Sequence, residues 1–301
     1  MKLIKALYND GHQKIQHRGN IEDMRFETNK DVLDWYEKQP RTLTNEFINS
    51  VKWHEVKNYP LDEKFIPVLL FMRDVEVLTD MYHQEMLRTP TGKDPYISKF
   101  MERWGIEEIT HGEVIDRFLN EAGYETPKNW KTEVRKSVPT SYDLTTKLLT
   151  SLTNLVGKKF TATHMTFGAI NELSTAQAYR RMIDLAKHPI LTQILTGIIR
   201  EESAHTQCYW SVAKLELRRS AFSQKMARFV IKNFWEPVGA GARTKKASDY
   251  CIQTLFGDEG GLEWLDRKIT KHIHELPGFD QVYTVTEKLG DIIRAKSLIA
   301  G

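Results

Sequence analysis

Two short motifs in the chain have the residue types and spacing to hold a metal ion: Glu108-Ile-Thr-His111 and Glu202-Ser-Ala-His205. On a helix, residues three apart share a face, with Cβ atoms about 5–6 Å apart, so one ion can take both side chains. The motif alone is weak. With 24 Glu and 10 His among 301 residues, about one such pair arises by chance. Two further glutamates add weight, because Glu76 precedes the first motif and Glu172 precedes the second. The midpoint of 76 and 108 is Gly92, inside Thr89-Pro-Thr-Gly-Lys-Asp-Pro95, a stretch that cannot stay helical. The midpoint of 172 and 202 is Lys187, beside His188-Pro189, where the proline forces its predecessor out of the helical region. In an antiparallel hairpin, residues equidistant from the turn lie at one height. Glu76 then faces Glu108 about 24 Å from its turn, and Glu172 faces Glu202 about 22 Å from its turn, at 1.5 Å per residue.

Two such hairpins make a four-helix bundle with six inward ligands: Glu76, Glu108, His111, Glu172, Glu202 and His205. That is the ferritin-like arrangement for two iron or two manganese ions. Carboxylate-rich sites with open positions favour iron over zinc, so two Fe2+ ions per chain are expected. Glutamates on long helices are usually solvated. These lie beside apolar runs, Leu69-Leu70-Phe71-Met72 and Ile194 to Ile199, where a carboxylate lacking a metal or a basic partner would be costly.

The elements that must position these ligands are helical. No run of alternating Val, Ile and Thr bounded by turn residues occurs. Apolar residues at three- and four-residue steps predict long helices at 61–89, 95–122, 158–187 and 190–217. Shorter ones are predicted at 43–57, 141–156, 219–234, 244–256, 260–275 and 281–297. Gly123 stands where a left-handed C-cap is wanted. The expectation is one all-α domain over 1–301, with four core helices and a C-terminal helical extension over 219–298.

Composition narrows the function classes. The two cysteines, Cys208 and Cys251, exclude a disulfide framework and a cysteine-built zinc site, and suit a reducing, cytoplasmic setting. The longest apolar run, Phe65 to Met72, is far short of the roughly 20 residues that span a bilayer. Met1 to Asp10 has no apolar segment of signal-peptide length. A net charge of +3 does not by itself imply nucleic-acid binding. The charge is uneven, however. Residues 212–246 hold nine basic side chains against Glu216 and Glu236, giving +7 there and −4 elsewhere. Such a face suits an acidic partner, although a solvated helix face reads the same way.

The run Trp104-Gly-Ile-Glu-Glu-Ile-Thr-His-Gly-Glu113, Glu201 just before the second motif, Glu172-Leu-Ser-Thr175, and Tyr82 and Met86-Leu87 after Glu76 together resemble the soluble acyl-acyl-carrier-protein desaturases. The likeness covers roughly residues 60–215. It departs from the family pattern at Ile109 and Thr110, where polar residues are usual. The family's N-terminal tryptophan falls on Trp35 or, second, Trp53. The resemblance implies an oxygen-dependent di-iron enzyme that puts a double bond into an acyl chain on acyl carrier protein. It also implies a ferredoxin-type electron donor and a homodimer.

On the same resemblance, Thr175 and Glu201 support proton and electron delivery, and Trp104 serves electron transfer. The plainer readings are a helix hydroxyl bonded to its own backbone for Thr175 and core packing for Trp104. Met86 and Leu87 are tunnel-lining candidates or plain core. Asp80-x-x-His83 mimics a ligand pair without a partner motif, and His272-x-His274 reads as exposed. Gly239-Ala-Gly241 follows no strand, so it is no dinucleotide fingerprint. Electrons must therefore come from another protein. The same ligands would serve a hydroxylase or N-oxygenase acting on a carrier-bound substrate. A non-enzymatic iron-binding protein needs neither the C-terminal helices nor the basic segment.

Overall fold

A computed structural model of the protein describes residues 26–299. Met1 to Asp10 lies outside the described residues. The order is α1 (Asn29–Glu37), α2 (Asn45–Ser50), α3 (Ile66–Val77), α4 (Thr79–Leu87), α5 (Pro95–Glu121), α6 (Trp130–Lys136), α7 (Thr140–Val156), α8 (Phe160–Ala186), α9 (Pro189–Arg218), α10 (Ala221–Phe234), α11 (Lys245–Phe256), α12 (Gly261–Leu265), α13 (Lys271–Ile273) and α14 (Thr284–Ile299). The fold is all-α, with no strand among the described residues. None of the described helices is long and apolar enough to cross a membrane.

The long helices start and stop for local reasons. Asp94 caps α5, its side chain accepting from the Tyr96 and Ile97 backbone N–H groups, and Pro95 fills the first turn. Gly123, at φ +96°, ends that helix in the left-handed region, as its position predicts. Lys187 closes α8 at φ +50°, and the His188 imidazole then caps α9 by accepting from the Leu191 N–H at 3.2 Å.

The helix predicted over 61–89 is in three pieces. A 3-10 turn over Glu63–Phe65 leads into α3, and Leu78 (φ −77°, ψ −3°) separates α3 from α4. Neither proline nor glycine marks this break. Its cause is packing: α3 buries Val68, Leu69 and Phe71 in the main core, whereas Leu78 and Met81 join Trp130, Val134 and Val138 in a second cluster. The predicted 43–57 helix is likewise α2 plus a 3-10 turn at Trp53–Asn58, and the 260–275 helix contains a π turn at Asp266–Thr270. Helices α1 and α6 are additional to the sequence reading.

In the core, α3 packs along α5 and α8 along α9, giving the two expected hairpins. The C-terminal extension is helical, with α10 against α8 and α11 against α3 and α14. Two glycines set the close approaches. A Cβ on Gly112 would stand 3.2 Å from the Arg73 carbonyl oxygen, so α5 lies against α3 one residue past His111. A Cβ on Gly168 would overlap the Tyr209 ring, which is T-shaped to Phe100 with ring centroids 5.0 Å apart.

Gly168→Val should therefore destabilise the protein. Overpacking costs about 1–3 kcal/mol, more than the few tenths gained in helix propensity. Urea unfolding followed by circular dichroism should show a lower midpoint at unchanged slope. An unchanged midpoint would mean that α8 and α9 have slack at this crossing.

Candidate metal centre

Four helices each bring acidic or imidazole groups to one buried level: Glu76 from α3, Glu108 and His111 from α5, Glu172 from α8, and Glu202 and His205 from α9. The ligand atoms fall into two sets, each within 4.8 Å of one another: Glu76, Glu108, His111 and Glu202, and then Glu108, Glu172, Glu202 and His205. Glu108 and Glu202 belong to both. All six residues picked from the sequence are thus together, and the sharing of two carboxylates defines two adjacent positions.

Imidazole orientation is the telling feature. His111 Nε2 lies 3.0 Å from Glu201 Oε2, and His205 Nε2 lies 2.8 Å from Glu107 Oε2. Each imidazole is thereby held by the carboxylate just ahead of the motif on the opposite helix, and its Nδ1 is turned to the cluster. His111 Nδ1 lies 3.2 Å from Glu202 and 3.7 Å from both Glu76 and Glu108. His205 Nδ1 lies 2.9 Å from Glu108 and 3.7 Å from both Glu172 and Glu202. Both Nδ1 atoms, both Glu202 oxygens and Glu108 Oε1 are buried and lack a hydrogen-bond partner among the described residues. Orphaned ligand atoms converging from α5 and α9, with Glu76 and Glu172 beside them, are what metal ions would satisfy. Four carboxylates and two imidazoles fit a pair of divalent ions, whose identity the donors alone leave open.

The surrounding contacts hold the ligands in place. Trp104 Nε1 donates to Glu172 Oε1 at 3.2 Å, and the Tyr179 hydroxyl donates to Glu76. Glu201 Oε1 accepts from the Thr42 and Leu43 backbone N–H groups at 2.6 and 2.9 Å. Glu107 accepts from the Tyr36 hydroxyl at 2.7 Å and from Arg103 Nε at 2.8 Å. Glu201 therefore sits behind His111 as its positioning partner, and Glu107 is its counterpart behind His205. The sequence reading missed Glu107, Tyr36 and Tyr179. A repeat was available for Glu107, because Glu-Glu-x-x-His occurs twice, at 107–111 and 201–205.

Without metal, protons balance the cluster. Burial and neighbouring Glu108 push Glu76 well above the usual carboxylate range, and burial with Glu108 and Glu202 does the same to Glu172. Burial alone would lower His111 and His205. The carboxylates around them, with Tyr36 beside His205, outweigh it and hold both well above the ordinary value. Burial would raise Glu107, but His205, Tyr36 and Arg103 bring it down to about 2.

Thr175 lies one turn after Glu172 and lines an apolar cavity together with Phe71, Met72, Val75, Tyr179 and Trp235. Glu76 also lines it, so the cavity reaches the cluster from the α3–α8 side. Met86 and Leu87 do not line this cavity: Met86 is core and Leu87 is exposed. Trp35 packs edge-on to Phe26, and Trp53 lies under Arg117 with its Nε1 on the Ile48 carbonyl. Neither bonds to the cluster, whereas Tyr36, beside Trp35, reaches it through Glu107. His272 is half-buried against Trp210 rather than exposed. His83 stands over Gly105 and belongs to neither ligand set.

Two divalent ions should bind per chain, with protons released as they replace those on His111, His205, Glu76 and Glu172. Because these groups are raised, acid competes with metal, and affinity should fall as the pH is lowered. His205→Ala or Glu108→Ala should lower metal content, measured by elemental analysis, while the helical spectrum persists. One tightly held zinc and no second ion in anaerobically purified protein would remove the idea.

Comparison of the chain with protein-family profiles, with curated proteins and with solved structures gives no match, so the case for a function rests on the residues and their geometry.

Proposed function

We propose that the protein is a ferritin-like, oxygen-dependent di-iron desaturase acting on an acyl chain carried by acyl carrier protein. The observation that carries this reading is the pair of adjacent ligand sets sharing Glu108 and Glu202, with an apolar cavity that Glu76 helps to line. Removing two hydrogens from adjacent unactivated methylenes needs a stronger oxidant than any side chain. Iron bound at the cluster would supply it with oxygen. Overall, one alkyl chain, one oxygen molecule, two electrons and two protons give one alkene and two waters.

The chain's own residues do the rest. Phe71, Met72, Val75 and Trp235 form an apolar wall that suits alkyl carbons and excludes water. Thr175, half-buried in that wall one turn after Glu172, is the residue we assign to passing a proton toward the cluster, while neighbouring Ser174 bonds back to the Ile170 carbonyl. Glu201 and Glu107 fix the imidazoles, and Trp104 fixes Glu172.

The basic segment supports a carrier-bound substrate delivered from outside. On α10, Lys225, Arg228 and Lys232 are exposed beside exposed Phe222, Phe229 and Phe234, a surface suited to an acidic, partly apolar partner. No flavin or nicotinamide signature is present, which favours a ferredoxin-type donor.

Incubation with acyl carrier protein substrates, ferredoxin, its reductase and oxygen, followed by mass spectrometry, tests the reading. Loss of two hydrogens from the acyl group is expected. Gain of one oxygen would instead identify a hydroxylase, and no oxygen-dependent product would point to metal binding without catalysis. Thr175→Val should raise the oxygen consumed per double bond with KM nearly kept, because the change acts after binding. An equal coupling ratio would leave Thr175 as a helix hydroxyl. Reversing Arg218 and Arg219 to Glu should raise KM for the carrier at low salt and weaken its salt dependence. Unchanged kinetics would assign the basic face elsewhere.

A further inference from the structure

Helix α7 is inside out. Its positions turned toward the protein are Tyr142, Thr146, Thr150 and Thr153, all half-buried. Two of these hydroxyls bond back into the helix: Thr150 Oγ1 donates to the Thr146 carbonyl at 2.8 Å, and Thr153 Oγ1 to the Thr150 carbonyl at 2.6 Å. Its apolar residues, Leu144, Leu148, Leu149, Leu152, Leu155 and Val156, face away, and the leucines are 48% to 85% exposed. No residue of α7 is buried. An apolar stripe of this length calls for a surface that covers it.

Cations surround the same helix. Lys147 lies within it, and Lys158 and Lys159 follow its last turn, all exposed. Beside its C-terminal end, Asn154 Nδ2 donates to the Arg88 carbonyl at 2.9 Å, and Lys93 Nζ donates to Asn154 Oδ1 at 3.2 Å. Arg88 and Lys93 are exposed as well. None of these five cations joins an ion pair among the described residues. Asp143 is the one acid of α7, and Arg135 already pairs with it at 3.2 Å.

We propose that α7 seats the protein on an anionic lipid surface, lying in the plane of the interface with its leucines among the acyl chains and the surrounding cations at the headgroups. An apolar helix face flanked by unpaired lysine and arginine is the pattern that binds such a surface. Lysine stems run along apolar surface while lifting their ammonium groups to the lipid phosphates. At 17 residues, α7 is about 25 Å long, and it lies along the membrane, since none of the described helices is long and apolar enough to cross one. A protein partner suits the face less well. Protein interface cores are enriched in aromatic residues, methionine and arginine, whereas this stripe is five leucines and a valine. A second copy of the chain would add five more cations and no free acid. The lipid contact is independent of the reaction proposed above.

Flotation with vesicles of phosphatidylcholine, with and without phosphatidylglycerol, tests the proposal. The protein should float with the anionic vesicles, remain behind with the neutral ones, and be released as salt is raised. Leu148→Glu with Leu152→Glu should weaken vesicle binding at least about tenfold, and Lys158→Glu with Lys159→Glu should do the same at low salt. All four side chains are exposed, so helicity and metal content should be kept. Independently, Leu152→Cys carrying a polarity-sensitive fluorophore should shift to the blue when anionic vesicles are added; Cys208 and Cys251 are buried and escape labelling. No binding to anionic vesicles, binding indifferent to the glutamates, or a fluorophore that stays in water would each overturn the proposal. So would a dimer in sedimentation equilibrium that the leucine variant dissolves, which would assign the face to a second copy, or loss of carrier-protein binding in that variant, which would assign it to the carrier.

Discussion

Four carboxylates and two imidazoles packed at one level of an apolar core form the constraint on which the rest of the structure depends. Buried charges are costly unless paired or bound to metal, and like charges at contact distance cannot all ionise. In the absence of metal the cluster is held by protons, with Glu76 and Glu172 pushed toward the neutral acid and both imidazoles toward the cation. The crossing of partners matters equally. Glu107 on α5 holds His205 of α9, and Glu201 on α9 holds His111 of α5, so the ring orientations and the approach of the two hairpins are set by the same contacts.

Around that constraint the fold supplies rigidity on one side and room on the other. Arg73 and Asp74, both buried on α3 just ahead of Glu76, pair outward: Arg73 Nη1 reaches Asp116 at 2.9 Å, and Asp74 takes Arg243 at 2.5 Å. Arg73 also lies over Trp130 at 4.5 Å. These contacts tie α3 to α5, to α6 and to the loop after α10. The C-terminal helices close the other side. Trp235, its Nε1 on Asn171 Oδ1 at 3.1 Å, forms part of the cavity wall together with residues of α11 and α14. The extension is therefore part of the site's enclosure rather than an appendage.

Much of this was legible in the sequence because helical hairpins impose simple arithmetic. Equal distances of Glu76 and Glu108 from Gly92, and of Glu172 and Glu202 from Lys187, place four carboxylates at one height without knowledge of tertiary contacts. The misses share a physical cause. Tyr36 reaches Glu107 across 71 residues, and Tyr179 reaches Glu76 across 103, so neither pairing leaves a local pattern. The break at Leu78 has no breaker residue, because a change of packing partner causes it. In α7, periodicity marks an apolar and a polar face but cannot say which one turns inward, and here it is the threonine face.

The central claim is that His111 and His205 turn Nδ1 toward two adjacent ligand sets that share Glu108 and Glu202 and would each hold a metal ion. Crystals of anaerobically iron-loaded protein, measured across the iron absorption edge, test it most directly. Two anomalous peaks are predicted, one among Glu76, Glu108, His111 and Glu202, the other among Glu108, Glu172, Glu202 and His205. A single peak, or a metal bound through Nε2 with Glu107 or Glu201 displaced, would contradict the account.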